Sequence, residues 1–231
     1  MTPDPIGPPD APAATSTRPD METYRAYGGL DNPDKSPCRA VTLDESGKWE
    51  LRRRLVAARR GVPAAVRERE AAALAAVPLP GLPGTVCAYW PVGLEPGSPE
   101  LLDGLVHRGC RILLPVVDSM GPLEWAEYTD AGSLQRGPLG LREPTGPLLG
   151  CAAIATAVLV LVPALAVDRT GVRLGRGGGH YDRTLPLATP GTPLVAIVRD
   201  DEVLAALPVQ PHDVPVTAAL TPGQGLIPLP R

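Results

Sequence analysis

Residues 85–117 read Thr85-Val-Cys-Ala-Tyr-Trp-Pro-Val-Gly-Leu-Glu95-Pro-Gly-Ser-Pro-Glu-Leu-Leu-Asp-Gly-Leu-Val-His-Arg-Gly109-Cys-Arg-Ile-Leu-Leu-Pro-Val-Val117. Two short apolar runs, 85–90 and 111–117, have the length and branched side chains of strands. Between them Ser98 is a suitable N-cap, Pro99 suits the first turn of a helix, and Gly109 suits its stop. Strand, helix and strand in this order make a β-α-β unit. The expectation is an α/β domain with a mainly parallel central sheet flanked by helices, three-layered and Rossmann-like, as a single domain. Ligands of such folds gather at the carboxyl ends of the strands.

The rest of the chain extends this pattern. Further apolar runs at 123–128, 158–162 and 194–198 read as strands. Upstream, Thr42 and Glu45 have capping-box spacing, and Leu51, Leu55 and Ala58 continue a helical stripe to Arg60. Pro63 suits the first turn of a second helix reaching about Val77. Residues 1–40 hold eight prolines among Asp, Ser and Thr with almost no apolar periodicity. They read as a disordered leader, leaving 41–231 as the folded domain.

Composition narrows the classes. With 44% hydrophobic residues, 20% charged and a net charge of −3, the chain can bury a core and has no global attraction to nucleic acid. Cys38, Cys87, Cys110 and Cys151 form no C-x-x-C pair, which argues against a zinc ribbon or a disulfide framework. No secretory signal is visible, and a cytoplasmic location follows. Residues 148–167 carry no charge and, at about 20 residues, could span a bilayer. Gly150, Pro163, a β-branched centre and the absence of a basic flank favour a buried helix-plus-strand instead.

Chemistry concentrates in Gly171-Val-Arg-Leu-Gly-Arg-Gly-Gly-Gly-His-Tyr-Asp-Arg183, which follows the apolar run ending at Asp168. Glycines let backbone N–H groups close on an anion, and Arg173, Arg176 and Arg183 add charge-assisted donors. A polyphosphate is the natural guest. The loop matches neither the P-loop nor the dinucleotide fingerprint, since His180 stands where the last glycine of G-x-G-x-x-G would fall. A glycine hinge with incidental arginines is the alternative. Residues 48–70 add eight basic residues against three acidic ones, which marks either an anion site or a solvated helix face.

The segment Arg173–Arg183, preceded by Leu161–Asp168, resembles the signature of the 5-formyltetrahydrofolate cyclo-ligase family. Lys48-Trp-Glu-Leu-Arg52, Tyr89-Trp-Pro ahead of Glu95, Leu114-Pro-Val, Glu143-Pro144, and Leu207-Pro208 ahead of His212-Asp213 follow in the family's order. The similarity spans about 48–221. It implies that Lys48 and Arg52 hold ATP phosphates, and that Arg173, Leu174, Gly175, Arg176, Gly177, Gly178, Gly179, His180 and Tyr181 wrap the nucleotide. It implies that Trp90 and Glu95 face the folate together with Arg176, the three glycines and His180. Asp182 and Asp213 would be the carboxylates associated with Mg²⁺. Departures from the family pattern are His180 for a usual tyrosine, Val158 for a common aspartate, and Glu202 where glutamine is frequent.

The resemblance implies ATP- and Mg²⁺-dependent cyclisation of 5-formyltetrahydrofolate to 5,10-methenyltetrahydrofolate, with small-molecule partners, no nucleic acid and no membrane. The alternative is a cyclo-ligase-like nucleotide- or RNA-binding module without turnover. His180 further implies that activity falls when its ring becomes protonated.

Overall fold

The computed structural model describes residues 43–79, 81–117, 120–137 and 140–230. The expected leader, residues 1–40, lies outside them, and so does the Thr42 cap. Seven strands form the main sheet: β1 (Thr85–Cys87), β2 (Arg111–Val116), β3 (Glu124–Tyr128), β6 (Ala157–Pro163), β9 (Leu194–Ile197), β11 (Ala218–Thr221) and β12 (Gly225–Pro228). Their order across the sheet is β12-β11-β9-β6-β1-β2-β3. The interior pairs are parallel, and the two edge strands β3 and β12 are antiparallel to their neighbours.

The β-α-β unit forms as the sequence predicts. Helix α3 (Pro99–His107) starts after Ser98 and stops at Gly109, whose positive φ of 80° and N–H bond to Val106 O at 2.9 Å turn the chain into β2. Ser98 takes the N-cap position without a side-chain hydrogen bond, so Pro99 and the chain direction set the helix start. Helix α2 (Ala64–Ala76) follows Pro63, which occupies the N-cap rather than the first turn.

Both faces of the sheet are buried, as a parallel sheet requires. Alternate residues point to opposite sides. Val86, Ile112, Leu114, Leu159 and Leu161 join Leu74 of α2 and Leu101, Leu102 and Leu105 of α3. Cys87, Leu113, Val160 and Val162 join Ile154, Leu185 and Val216. The second outer layer consists of short helical turns and loops rather than long helices. Gly171, at φ +90°, packs so close to Val216 O that a Cβ would clash. The chain uses glycine there to pass the sheet.

Two minor sheets complete the domain: β4 (Leu134–Arg136) with β5 (Arg142–Pro144), and β10 (Val203–Leu204) with β7 (Ala166–Asp168) and β8 (Arg173–Leu174). Helix α1 (Leu43–Arg60) lies on the latter. Leu51 and Leu55 pack against Ala166, Leu174 and Leu207, which brings the basic helix to the glycine loop. The apolar segment 148–167 resolves into a 3-10 helix over Cys151–Thr156 followed by β6 and part of β7. No helix among the described residues is long and apolar enough to cross a membrane. Cys87, Cys110 and Cys151 are free thiols, and burial pushes Cys87 up to about 12.

Candidate active site

Helix periodicity puts Lys48, Arg52 and Arg59 on the buried side of α1, while Arg53 and Arg54 face solvent. The solvated-face reading of the basic segment therefore fits only Arg53, Arg54 and Arg60, and the buried face carries the residues of the anion-site reading. Lys48 is only 4% exposed, and its Nζ lies 2.6 Å from Asp213 Oδ2 and 3.3 Å from Gln210 Oε1. Gln210 also donates its backbone N–H to Asp213 Oδ2 at 2.7 Å. One carboxylate thus anchors a lysine 165 residues away in sequence. Burial works to raise Asp213, but the hydrogen bonds from Lys48 and Gln210 prevail and hold it below the usual aspartate range.

Arg52 donates from Nε to Gly175 O at 2.9 Å, and its guanidinium lies against Gly177. Burial works against its charge, while Asp213 and Asp182 favour it. The two acids therefore flank one arginine. Gly177 and Gly179 have φ of +100° and +67°, conformations that L side chains rarely adopt, so glycine shapes the bend that carries the loop back into α4 (His180–Thr184).

Asp168 fixes the loop's root. It is buried, and its Oδ1 accepts from Thr170 N, Thr170 Oγ1 and Val172 N at 2.8, 2.7 and 3.1 Å, while Oδ2 accepts from Leu207 N at 2.9 Å. Within the loop, Leu174 is buried in the minor sheet and acts through packing. Arg173 is 6% exposed, with one Nη 2.6 Å from Asp182 Oδ1. Arg176 is half exposed and reaches Glu95 Oε1 at 3.2 Å. Glu95 Oε2 accepts from Val92 N at 3.0 Å, and burial pushes the carboxyl up despite Arg176.

Glu95 and the glycine loop therefore meet. Trp90 is half-buried against the core, its ring 6.0 Å from Tyr128 and 5.5 Å from the Arg142 guanidinium. His180 Nδ1 lies 3.3 Å from Gly121 O, and burial pushes its pKa below the ordinary histidine value. A cleft of about 210 Å³ lies beside Glu95 between α2 and residues 93–97. Of its three cations, Arg59 and Arg199 are committed to Glu202 and Glu70 and Arg67 donates to Val62 O, so the converging loop groups locate the site better than the cleft does.

A fit to Mg²⁺ can be tested on the donors. Among the described residues no three His, Cys, Asp or Glu side chains cluster as a metal cage. Asp182 and Asp213 are hard oxygen donors, each sharing one oxygen with a cation. That set suits Mg²⁺, which is held by one or two carboxylates plus substrate phosphates. It does not suit a resident all-protein metal.

A profile of the 5-formyltetrahydrofolate cyclo-ligase family matches residues 44–222. The chain belongs to that family. A protein of Mycolicibacterium smegmatis named 5-formyltetrahydrofolate cyclo-ligase is 52% identical over 195 residues, covering 81% of this chain and all of that one. The Escherichia coli protein of the same name is 31% identical over 61% of this chain and 79% of its own length. The solved structure of Aquifex aeolicus 5,10-methenyltetrahydrofolate synthetase superposes with a TM-score of 0.66 at 25% identity, over 80% of this chain and 93% of that one. A synthetase structure from Mycoplasma pneumoniae, with a TM-score of 0.57 at 17% identity over 74% of this chain and 96% of that one, shares the fold.

Several contributors escaped the sequence reading. Gln210 had a weak signal, since the Gln-Pro-His-Asp spacing is that of a turn. Arg59 and Glu202 stood out only separately, as one charge of the basic segment and one departure from the family pattern, because a buried ion pair 143 residues apart leaves no local spacing to read.

Proposed function

We propose that this family member catalyses the ATP- and Mg²⁺-dependent cyclisation of 5-formyltetrahydrofolate to 5,10-methenyltetrahydrofolate, releasing ADP and phosphate, in the cytoplasm and with small molecules as its partners. The observation that carries this reading is the reach of Lys48 and Arg52 from α1 to Asp213 and Gly175, which gathers cations and carboxylates around one glycine loop. Two carboxylates beside the phosphate cations, each with an oxygen left over from its ion pair, favour metal-assisted phosphoryl transfer over a module that only binds nucleotide or RNA.

In this reaction the formyl oxygen attacks the γ-phosphorus of ATP and ADP leaves. N10 then closes on the activated carbon and phosphate departs. No protein nucleophile is needed; the work is positioning two anionic molecules and neutralising charge on the transferred group. In our assignment Lys48 and Arg52 hold phosphates, and the backbone of Gly175–Gly179 with Arg173 and Arg176 encloses them. Asp182 and Asp213 would hold Mg²⁺, which supplies charge neutralisation at the phosphate oxygens when bound. Glu95 and His180 face the folate. Trp90 would form an apolar wall for the folate, beside Tyr128.

The test is ATP-dependent formation of the methenyl chromophore with Mg²⁺ present or chelated, in wild type, Lys48→Ala and Asp182→Ala. Metal-dependent turnover that both substitutions weaken is the expected result. Folded protein that binds ATP and does not turn over would instead establish the binding module.

A further inference from the structure

Arg183 does something other than what its place in the basic loop suggests. In sequence it counts as a third cation for a bound polyphosphate. In the fold its donors turn to backbone carbonyls: one Nη donates to Gly178 O at 2.9 Å, and Nε donates to Gly121 O at 3.3 Å. A Cβ on Gly179 would come within 2.7 Å of the other Nη. Glycine at 179 therefore accepts φ +67° and also leaves room for the guanidinium to cross the loop.

The far end of this bridge is held in place. His180, Arg183 and Thr184 stand at i, i+3 and i+4 of α4 and share one side of it. All three meet residues 121–123, just ahead of β3. His180 Nδ1 lies 3.3 Å from Gly121 O, and Leu123 N–H donates to Thr184 Oγ1 at 2.8 Å. Thr184 is fully buried, and its hydroxyl donates to His180 O at 2.7 Å. The Gly121 carbonyl is thus fixed relative to the sheet, and Arg183 carries that reference to Gly178.

A carbonyl and the N–H that follows it lie on opposite sides of one planar trans peptide, so holding Gly178 O sets the direction of the Gly179 N–H. Arg52 does the same at the start of the loop, where its Nε takes Gly175 O and so sets the Arg176 N–H. No backbone carbonyl among the described residues accepts from the N–H groups of Arg176, Gly177, Gly178 or Gly179. Two arginines hold carbonyls of the loop while its N–H groups remain for a ligand, the division that an anion-binding backbone needs.

We propose that Arg183 is a positioning residue: its forked guanidinium ties Gly178 to Gly121 and so aims the peptide N–H groups of the glycine loop at the nucleotide phosphates, without contacting them itself. This rests on the function proposed above and adds to it a residue that acts through donor geometry rather than charge. The two roles are separable. Lysine is a point charge that serves well as a phosphate binder, whereas a planar fork of several donors can meet two carbonyls at once. A phosphate ligand at 183 tolerates lysine; a brace does not.

The experiment compares full-length wild type, Arg183→Lys and Arg183→Met. It reads Kd for ATP by titration calorimetry, KM for ATP and for 5-formyltetrahydrofolate, and the thermal midpoint. The expected result is that both variants bind ATP about five- to tenfold more weakly, as for one exposed charge-assisted hydrogen bond, and agree with each other within about twofold. KM for the folate stays within about twofold, because His180 and Thr184 still hold α4 to residues 121–123. The midpoint moves by no more than about 2 °C, since the guanidinium is exposed. Wild-type affinity for ATP in Arg183→Lys beside a loss in Arg183→Met identifies a phosphate ligand and overturns the proposal. So do two variants that bind ATP as wild type does, or that lose ATP and folate equally with a midpoint lowered by more than about 5 °C, the mark of a general brace of the fold. Wild type that binds ATP and never converts the folate refutes the proposed function alone, since the three dissociation constants still decide the role of Arg183. Wild type that binds no ATP refutes both.

Discussion

Arg59 and Glu202 form an ion pair buried at 3% exposure each. Their contacts are a two-pronged fork, Nε to Oε1 at 2.6 Å and one Nη to Oε2 at 2.8 Å. The same Nη also donates to Ala164 O at 2.7 Å, and Arg199 N–H donates to Glu202 Oε2 at 2.9 Å. The pair therefore pins α1 to the turns that leave β6 and β9, the carboxyl ends that carry the site. Removing one partner leaves the other charge buried and unpaired, a cost of about 3–5 kcal/mol. For a domain of this size the thermal midpoint of Arg59→Ala or Glu202→Ala should fall by about 6–20 °C. Removing both charges behaves differently. Arg59→Met/Glu202→Gln leaves no unpaired ion, and the glutamine can still accept from Arg199 N–H. The double variant should return to within about 1 kcal/mol of wild type, so the two single losses are strongly non-additive. Equilibrium urea unfolding of the four proteins, with equal slopes, gives the coupling directly. Single variants within about 1 kcal/mol of wild type, or a double variant as unstable as the sum of the singles, would refute the argument. The same pair accounts for Glu202 where glutamine is frequent: a buried arginine opposite it calls for a full negative charge.

Gly171→Ala should lower stability by about 1–3 kcal/mol or more, read by thermal unfolding, because φ +90° and the contact with Val216 O both oppose a Cβ. An unchanged midpoint would show that the strand-crossing turn is looser than described. Asp213 has a depressed pKa in the folded state, so its contribution to stability is complete above its unfolded value of about 3.9 and is lost as pH falls through its lower folded value. The stability difference between wild type and Asp213→Asn should be level above about pH 5 and shrink steadily toward pH 2; a difference that does not vary with pH rules this out. Burial keeps His180 neutral at pH 7, so any loss of activity from its protonation falls on the acid side of the ordinary value of 6.5. His180→Tyr should remove that limb of the pH–rate profile, and an unchanged acid limb excludes His180 as its source.

Periodicity and punctuation carried the local elements. The strands 85–90, 111–117, 123–128, 158–162 and 194–198, the helix between Pro99 and Gly109 and the helices near 43–60 and 64–76 were legible because each is a run whose apolar spacing or caps suit one backbone conformation. The glycine and arginine content of 173–183 likewise marked that segment as the candidate site loop, and its positive-φ glycines bear out the bend that the glycine run implied. The short strands β7, β8, β10, β11 and β12 were not legible. Two to four residues hold too little pattern, and these strands exist because neighbours offer free N–H and C=O groups.

The same limit applies to the site. Sequence alone determined the chemistry available: which cations, which carboxylates and which loop. Only the tertiary structure decided that Lys48 meets Asp213, that Arg59 is buried against Glu202, and that Arg176 reaches Glu95. Helical spacing tells which residues share a face, but whether that face meets water or a carboxylate from the far end of the chain depends on how the layers pack. Burial then sets the outcome, because the same ionic contact that counts for little on the surface becomes obligatory once water is excluded.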